Sequence, residues 1–434
     1  MKRRSFSLWG LLLVWLFCAA GAPAQTAATL VTQEFPQVRL EAFNKVWNTV
    51  NEKHYDTTFN GVDWAKVRAD YLPKAQAAKS EAEFHAVLRQ MLGELKLSHF
   101  NIFPPEPAVI GEKDANGSIG IDVVWLDGVP VIERVQKGSP AESAGLLPGF
   151  VIRSIDAGSV NERIRPIKES LESRAMGEGL RRMYLERSVE AMLSGKTGTK
   201  VAVEYLDGKD KPHRAEVERS AYTGEMSQPM GHFPKQQVIF ESRLLPENIG
   251  YIRFNMWVIP QAAKIRAAVR GFANADGIIF DLRGNPGGVG GMAGGAAGLL
   301  TNKQLDLGTM RMRGGRMNLI AYPQSDPFLG KVVILSDHGT GSTSELFAAG
   351  LQELGRAKVI GGTTAGAVLP SVFEPLSTGW TFQYVISDYR SPKNILIEGR
   401  GVQPDIKVAT TRADLLAGRD PQLEAAVKAI REEK

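Results

Sequence analysis

Four hydrophobic residues, Val332 to Leu335, run into Ser336-Asp337-His338-Gly339-Thr340-Gly341-Ser342-Thr343-Ser344-Glu345. The apolar run has the length of a buried strand, the glycines make a tight turn, and a helix is expected from about Ser342 to Leu354. A serine held at that junction stands at the carboxyl end of a strand and on the first turn of a helix. The helix N-terminus carries partial positive charge and unpaired N–H groups, surroundings that suit a nucleophilic hydroxyl and the oxyanion its attack creates. The same Ser342 would also serve as a plain N-cap, a role that serine often fills. Upstream, Gly277 to Leu282 reads as a second strand, and Arg283-Gly284-Asn285-Pro286-Gly287-Gly288 as a glycine turn whose backbone can approach a ligand closely. If the two strands are neighbours, the amides of Gly287 or Gly288 and of Thr343 can form an oxyanion hole. Asp281 and Arg283 read as a structural ion pair.

These turns need a scaffold, and the hydrophobic pattern supplies one in three parts. From about Val38 to Leu97 the spacing is helical, with Leu40, Phe43, Trp47 and Val50 on one stripe and Phe84, Leu88, Met91 and Leu95 on another. Three helices fit, the third starting at a Ser80/Glu83 capping box and running to about Lys96. After Pro104-Pro105 come short strand-like runs: 120–124, 129–132, 151–155 and 201–205, with a helical insert at about Ile167 to Leu193. From Asn248 onward strands and helices alternate, which marks an α/β layer with parallel pairing. The expected fold class is therefore α/β and multidomain.

A chain of 434 residues, 43% hydrophobic and 23% charged, is long enough to bury more than one core. Lys2-Arg3-Arg4, the apolar run Leu8 to Ala20 and Ala22-Pro23-Ala24 form the pattern of a secretory signal, with cleavage expected after Ala24. No other stretch is long enough to span a membrane, so no transmembrane span is expected after cleavage, and the protein is expected to be exported, periplasmic or secreted. The single cysteine, Cys18, lies inside that signal, which rules out thiol nucleophiles, disulfide frameworks and thiolate zinc sites in the mature chain. The net charge of +5 includes Lys2, Arg3 and Arg4, and no dense basic tract argues for nucleic acid. The histidines show no metal-ligand spacing, so neither a metal nor a cofactor is expected. Nothing in the sequence sets an oligomeric state.

Several stretches, in one order, resemble the tail-specific (C-terminal processing) and tricorn-type serine peptidases. They are Asp63-Trp64, Leu95-Lys96-Leu97-Ser98-His99, the run Gly138 to Phe150, which resembles the centre of a PDZ module, and the two glycine turns above. The resemblance covers nearly the whole mature chain. It implies a signal peptide at 1–24, an N-terminal helical domain at 25–104, a PDZ-like β-rich module with a helical insert at 105–220, and a crotonase-like peptidase core at 221–434.

One branch of that family pairs its serine with a lysine about 25 residues downstream; here Ala367, in Gly362-Thr363-Thr364-Ala365-Gly366-Ala367-Val368, stands at that place. The tricorn-like branch draws instead on a Ser-His pair and on a Glu-x-x-Gly-Val-x-Pro-Asp stretch. Ser98-His99 and Glu398-Gly399-Arg400-Gly401-Val402-Gln403-Pro404-Asp405 match both. The resemblance thus implies a Ser342, His99, Glu398 and Ser98 tetrad, in which His99 takes the serine proton and Glu398, with or through Ser98, orients the imidazole. His338 is the nearest rival base, although its place on the same turn faces it away. Asp405 reads as a turn residue.

The PDZ-like module is expected to bind a protein or peptide substrate by its C-terminal end, with the carboxylate near Gly117, Ile119, Gly120 and Ile121. Two other readings stay open: a catalytically inactive binding protein of the same fold, for a peptide or a hydrophobic ligand, and an acyl-CoA enzyme. Export argues against the second, and the joint presence of Ser342, His99 and Glu398 against the first.

Overall fold

The computed structural model describes residues 27–105, 117–172, 176–233 and 235–432. The expected signal segment, with Cys18, lies outside the described residues. The N-terminal region consists of α1 (Ala27–Lys53), α2 (Trp64–Ala77) and α3 (Glu81–Gly93), followed by a short strand, β1 (Asn101–Phe103). Helical spacing puts Phe43, Val46 and Val50 of α1, Trp64, Val67 and Tyr71 of α2, and Phe84, Leu88 and Met91 of α3 into one buried cluster. Asp63 caps α2 by accepting the Lys66 N–H at 2.9 Å. At α3 the capping box is only half as expected. Ser80 Oγ accepts the Glu83 N–H at 3.1 Å, but the Glu83 carboxylate takes the Lys79 N–H at 2.7 Å, one residue earlier than the box requires. The helix also stops before Lys96, whose φ of +56° turns the chain out of the helix and into the Leu97–Phe100 loop.

The middle region runs β2 (Gly117–Ser118), β3 (Ile121–Leu126), β4 (Val129–Val135), α4 (Pro140–Ser143), β5 (Val151–Ile155), β6 (Gly158–Ser159), α5 (Val160–Glu172), α6 (Glu178–Leu193), β7 (Lys200–Leu206), β8 (Pro212–Glu218) and β9 (Ser220–Ala221). Its antiparallel sheet has the order β3-β4-β5-β7-β8. The helical stretch expected at Ile167 to Leu193 is two helices and starts earlier, at Val160. It is not an appendage: Ile164, Leu171, Leu185, Val189 and Leu193 share a core with Ile121, Ile132, Ile152 and Val201.

The last region runs β10 (Phe240–Leu245), β11 (Ile249–Phe254), α7 (Ile259–Gly271), β12 (Gly277–Asp281), α8 (Gly291–Gly298), β13 (Leu305–Met312), β14 (Gly315–Ala321), β15 (Lys331–Ser336), α9 (Thr343–Glu353), β16 (Lys358–Gly361), β17 (Ser371–Pro375), β18 (Thr381–Val385), β19 (Ser387–Arg390), β20 (Ile406–Lys407), α10 (Arg412–Leu416) and α11 (Pro421–Glu432). The main sheet has the order β10-β11-β12-β15-β16-β20, parallel from β11 onward as the alternation predicts, with β10 antiparallel at the edge. Its strands are apolar on both faces because both are covered. Ile252, Phe280 and Ile334 meet Phe347 of α9 on one side, while Tyr251, Ile279 and Val333 meet Ala426 and Ile430 of α11 on the other.

The N-terminal helices are fastened to this region by a shared sheet and a shared core. β1 pairs antiparallel with β18, Ile102 opposite Phe382, in the order β1-β18-β17. Leu376, Phe382 and Tyr384 join the helical cluster. The loop carrying Ser98 and His99 is thus clamped between α3 and a strand zipped onto the other end of the chain.

Candidate active site

Because β12 and β15 are adjacent and parallel, their carboxyl-end turns lie side by side. Thr340 Oγ1 donates to the Leu282 carbonyl at 2.8 Å, the Gly341 N–H to the Asn285 carbonyl at 3.0 Å, and Thr343 Oγ1 to the Gly288 carbonyl at 2.9 Å. Beneath them Ser344 Oγ accepts from Trp257 Nε1 at 2.8 Å and donates to the Asn285 carbonyl at 3.1 Å. The two turns form one rigid shelf.

Ser342 is the residue before α9 and holds φ +50°, ψ −117°, a conformation that costs an L-residue on the order of 1–3 kcal/mol. The surroundings impose it. The Ser342 N–H donates to the Ala367 carbonyl at 2.8 Å and to Glu345 Oε2 at 3.1 Å. Glu345 is fully buried and also accepts from Thr364 Oγ1 at 2.5 Å, Gly366 N at 2.8 Å and Ala367 N at 3.0 Å. Burial pushes its carboxyl up to about 7, against the opposing pull of those donors. The sequence reading missed this clamp, although Ser342 and Glu345 have the Ser-x-x-Glu spacing of a capping box. Glu345→Gln is expected to destabilise the protein by about 1–3 kcal/mol, since an amide nitrogen would face donors it cannot accept. A thermal melt beside a fluorophosphonate labelling rate would check it, and the labelling rate should fall too.

Gly287 is packed against the serine. A Cβ there would stand 2.5 Å from Ser342 Cβ and 2.8 Å from Thr343 N, and the residue has φ +102°. Its amide, however, donates to Asn285 Oδ1 at 3.0 Å, so of the three expected oxyanion donors Gly287 is already used. The amides of Gly288 and Thr343 have no acceptor among the described residues. Gly287→Ala should displace Ser342 and slow fluorophosphonate labelling roughly 100-fold, the effect of misplacing a reacting group by about 1 Å. An unchanged labelling rate would contradict this packing.

Ser98, His99 and Glu398 come together across 300 residues of chain. Glu398 Oε1 accepts the Ser98 N–H at 2.8 Å and Oε2 the Ser98 hydroxyl at 3.0 Å, while Ser98 Oγ lies 2.6 Å from His99 Nδ1. An ionised carboxylate only accepts, so the serine hydroxyl donates to Glu398 and its oxygen receives Nδ1–H, leaving Nε2 with a free lone pair. Burial pushes the Glu398 carboxyl up, opposed by the Val368 and Ser98 amides and the Ser98 hydroxyl. Burial pushes the His99 imidazole down to about 4. His99 itself is held at φ +60°.

The Ser342 turn and this hydrogen-bonded chain hang on consecutive residues: the Ala367 carbonyl holds the Ser342 amide, and the Val368 N–H donates to Glu398 Oε2 at 2.9 Å. No hydrogen bond joins His99 to Ser342, a contact that in substrate-free enzymes often tightens only in the complex. Ala367 is buried against Leu180 and Ala365, in apolar surroundings.

The other sequence candidates fall into structural roles. His338 Nε2 lies 2.6 Å from Glu186 Oε2 of α6; burial lowers its pKa, but the Glu186 hydrogen bond and the Asp337 and Glu186 charges outweigh that and raise it. Asp281, fully buried, pairs with Arg283 at 2.6 Å and Arg253 at 2.9 Å and accepts from Tyr251. Asp405 Oδ2 accepts the Val359 N–H at 2.8 Å. In the middle region the Gly117 amide is taken by the Gly195 carbonyl at 2.7 Å and that of Gly120 by Ser118 Oγ at 3.1 Å, while Ile119 and Ile121 bury their side chains in the core. Of the four expected carboxylate contacts, Gly117 and Gly120 therefore already have acceptors.

A strained serine at a strand-to-helix turn, with free amides beside it and a half-buried Glu–Ser–His chain one peptide unit away, has the parts of a serine-type peptidase, and the chain is one. Residues 248–408 match the model of peptidase family S41, and residues 35–93 that of the Tricorn protease C1 domain. The chain is 25% identical to a carboxyl-terminal-processing protease of Synechocystis sp. over 98% of its own length and 94% of the relative's. It is 24% identical to the carboxy-terminal processing protease CtpA of Bacillus subtilis, over 81% of this chain and 69% of that one. Among solved structures, the photosystem II D1 C-terminal processing protease shares the fold, with a TM-score of 0.58 at 22% identity, over 91% of this chain and 98% of that one. Residues 248–408 thus carry a peptidase family S41 domain, and the chain is similar over most of its length to carboxyl-terminal-processing proteases.

Proposed function

We propose that the protein is an exported peptidase that hydrolyses protein substrates with Ser342 as nucleophile, His99 as general base and acid, and Glu398 and Ser98 as the groups that hold His99. His99 Nε2 takes the Ser342 proton as Oγ attacks the scissile carbonyl. The amides of Gly288 and Thr343 receive the oxyanion, and His99 returns the proton to the leaving amine before water repeats the sequence on the acyl-enzyme. The observation that carries this reading is the Glu398–Ser98–His99 chain, because it fixes the tautomer that a base requires and does so without a lysine. The buried apolar setting of Ala367 is consistent with that histidine-using branch.

The reading divides the mature chain into a helical domain at 25–104, a PDZ-like module at 105–220 and a crotonase-like core at 221–434. The three apolar clusters support the division, although the helical one takes in residues of β18. The PDZ-like module would present carboxyl-terminal ends of periplasmic or secreted proteins to Ser342. Among the described residues no helix is long and apolar enough to cross a membrane.

The test is to treat the purified mature protein with a fluorophosphonate and map the adduct. A single adduct on Ser342 is expected, and an unlabelled wild-type protein would turn the reading toward the inactive binding protein.

A further inference from the structure

The three-stranded sheet β1-β18-β17 carries apolar residues on both faces, and only one face belongs to a core. Paired residues of antiparallel strands share a face, and neighbours along a strand alternate. Ile102, Phe382 and Tyr384 point into the helical cluster. The register sets Asn101 and Phe373 on either side of Gln383, so these three, with Phe103 and Ser371, look the other way. Along that face Val385, opposite Ser371, is fully buried, Gln383 is 9% exposed and Phe103 is 38% exposed. The face thus emerges from under the molecule and opens toward Phe103. There the Phe103 ring centre lies 6.2 Å from that of Phe373, which lies 5.3 Å from that of Phe233. None of these three phenylalanines belongs to a buried apolar cluster of the described residues. Folding does not complete their burial, and exposed apolar groups gathered beside a cleft mark a place where a ligand does.

Both outer strands of this sheet start beside the Glu398–Ser98–His99 chain. β1 begins two residues after His99, and β17 three residues after Val368, whose amide holds Glu398. Phe233 arrives from the opposite side. Residues flanking a turn at Gly231 pair back on each other, the Val238 N–H donating to the Glu225 carbonyl at 2.8 Å and the Phe233 N–H to the Met230 carbonyl at 3.0 Å. The base of this arm is fixed to Asn255, which donates to the Gln237 carbonyl at 2.9 Å and accepts the Ile239 N–H at 3.0 Å. Two residues on, Trp257 donates its N–H to the Gly287 carbonyl and accepts the Val289 N–H, gripping the turn on either side of Gly288. The arm therefore runs from the glycine turn beside Ser342 to Phe373, and the aromatic trio joins the two sides of the site.

We propose that Phe103, Phe373 and Phe233 form a subsite for an aromatic or large aliphatic side chain, carried by the departing part of the substrate about four residues beyond the scissile bond. This rests on the reading of Ser342 as nucleophile and His99 as base. His99 returns its proton to the leaving amine, so the leaving segment passes on the His99 side, where the sheet face begins. An extended chain advances about 3.3 Å per residue, so substrate residues match the four positions from His99 to Phe103 about one for one. A ring seated there makes the offset or edge-to-face contacts that aromatic groups favour, at roughly 4.5–7 Å between centres. The enzyme then reads the segment it removes, independently of any terminal carboxylate.

The test uses the full-length mature protein and a mass-encoded library of random synthetic peptides, with the cleaved bonds read by mass spectrometry. Wild type should favour Phe, Leu or Met over Ala about tenfold at or next to the fourth residue after the cut, the low end of what an apolar pocket discriminates. Phe103→Ala should lose most of that preference. Phe103→Lys, at a position exposed enough to carry a charge, should reverse it in favour of Glu, a change that loss of stability alone does not produce. A thermal melt reports the folding of each variant. No preference at that distance in wild type, enrichment only ahead of the cut, or a Phe103→Lys variant that keeps the apolar preference would overturn the proposal. A wild-type protein that neither cleaves the library nor takes up fluorophosphonate at Ser342 would overturn the peptidase reading and the subsite with it. Labelling and cleavage without the preference would strike the subsite alone.

Discussion

Ser342→Ala is expected to lower kcat for peptide hydrolysis on the order of 10⁶-fold, the loss seen when the nucleophile of an activated serine site is removed. The protein should remain folded. Ser342 accepts the Glu345 and Leu346 N–H groups through its backbone carbonyl and donates through its backbone amide, and alanine keeps both. The stability change should therefore stay on the order of 1 kcal/mol or less, the usual cost of an N-cap serine. Single-turnover assays beside a thermal melt separate the two effects. An alanine variant that still cleaves within tenfold of wild type would move the nucleophile elsewhere, and Ser344, buried and bonded to Trp257 and Asn285, offers no free hydroxyl to replace it.

His99→Ala should cost roughly 10⁴-fold or more in kcat, because base and nucleophile act as a unit and the residual rate comes from the oxyanion donors and binding. The wild-type pH profile carries a second signature of the same residue. With its pKa pushed down to about 4 from an ordinary 6.5, the imidazole stays neutral through mild acid, so the acid limb of kcat/KM should lie near pH 4. The same shift acts on stability. The folded form binds this proton only near pH 4 and the unfolded chain already near 6.5, so unfolding takes up a proton in that window and stability falls as pH falls through it. His85, also held near 4 by burial beside Trp380, contributes in the same sense. Glu133 and Glu345, raised to about 7, act oppositely: their contribution is complete below about 4.5 and is lost as pH rises through 7. Melting temperatures from pH 4 to 6.5 should accordingly drop less steeply on the acid side in His99→Ala than in wild type. Identical slopes would mean that His99 is not held neutral by burial.

Much of this was written locally. The strand-turn-helix around Ser342, the glycine turn at Gly287 and Gly288, and the three amphipathic helices follow from period and turn chemistry, which depend on near neighbours only. The Ser98-His99 and Glu398 motifs could be found as patterns, and the absent lysine at Ala367 could be seen in the sequence alone. What the sequence did not contain was the way backbone groups are spent. That the Gly287 amide goes to Asn285, and that Gly117 and Gly120 have acceptors already, depends on side chains turning back onto the main chain in three dimensions. Glu345 as a clamp on residues 364 to 367, and Phe103 and Phe233 on Phe373, join elements whose contacts no periodicity encodes.

The sequence by itself therefore determined which residues have the chemistry of a serine peptidase: a serine on a helix start, a histidine, a glutamate, and glycines where backbone must come close. Tertiary structure alone decided how they are tied together. The strand at Asn101–Phe103 pairs with Thr381–Val385, and that pairing carries Ser98, and His99 with it, to a glutamate 300 residues from Ser98, over a loop whose adjacent residues, Ala367 and Val368, hold the serine on one side and the glutamate on the other. Hydrogen bonds between segments so distant in sequence form only once the helical region and the β17–β18 hairpin have docked through a common apolar core.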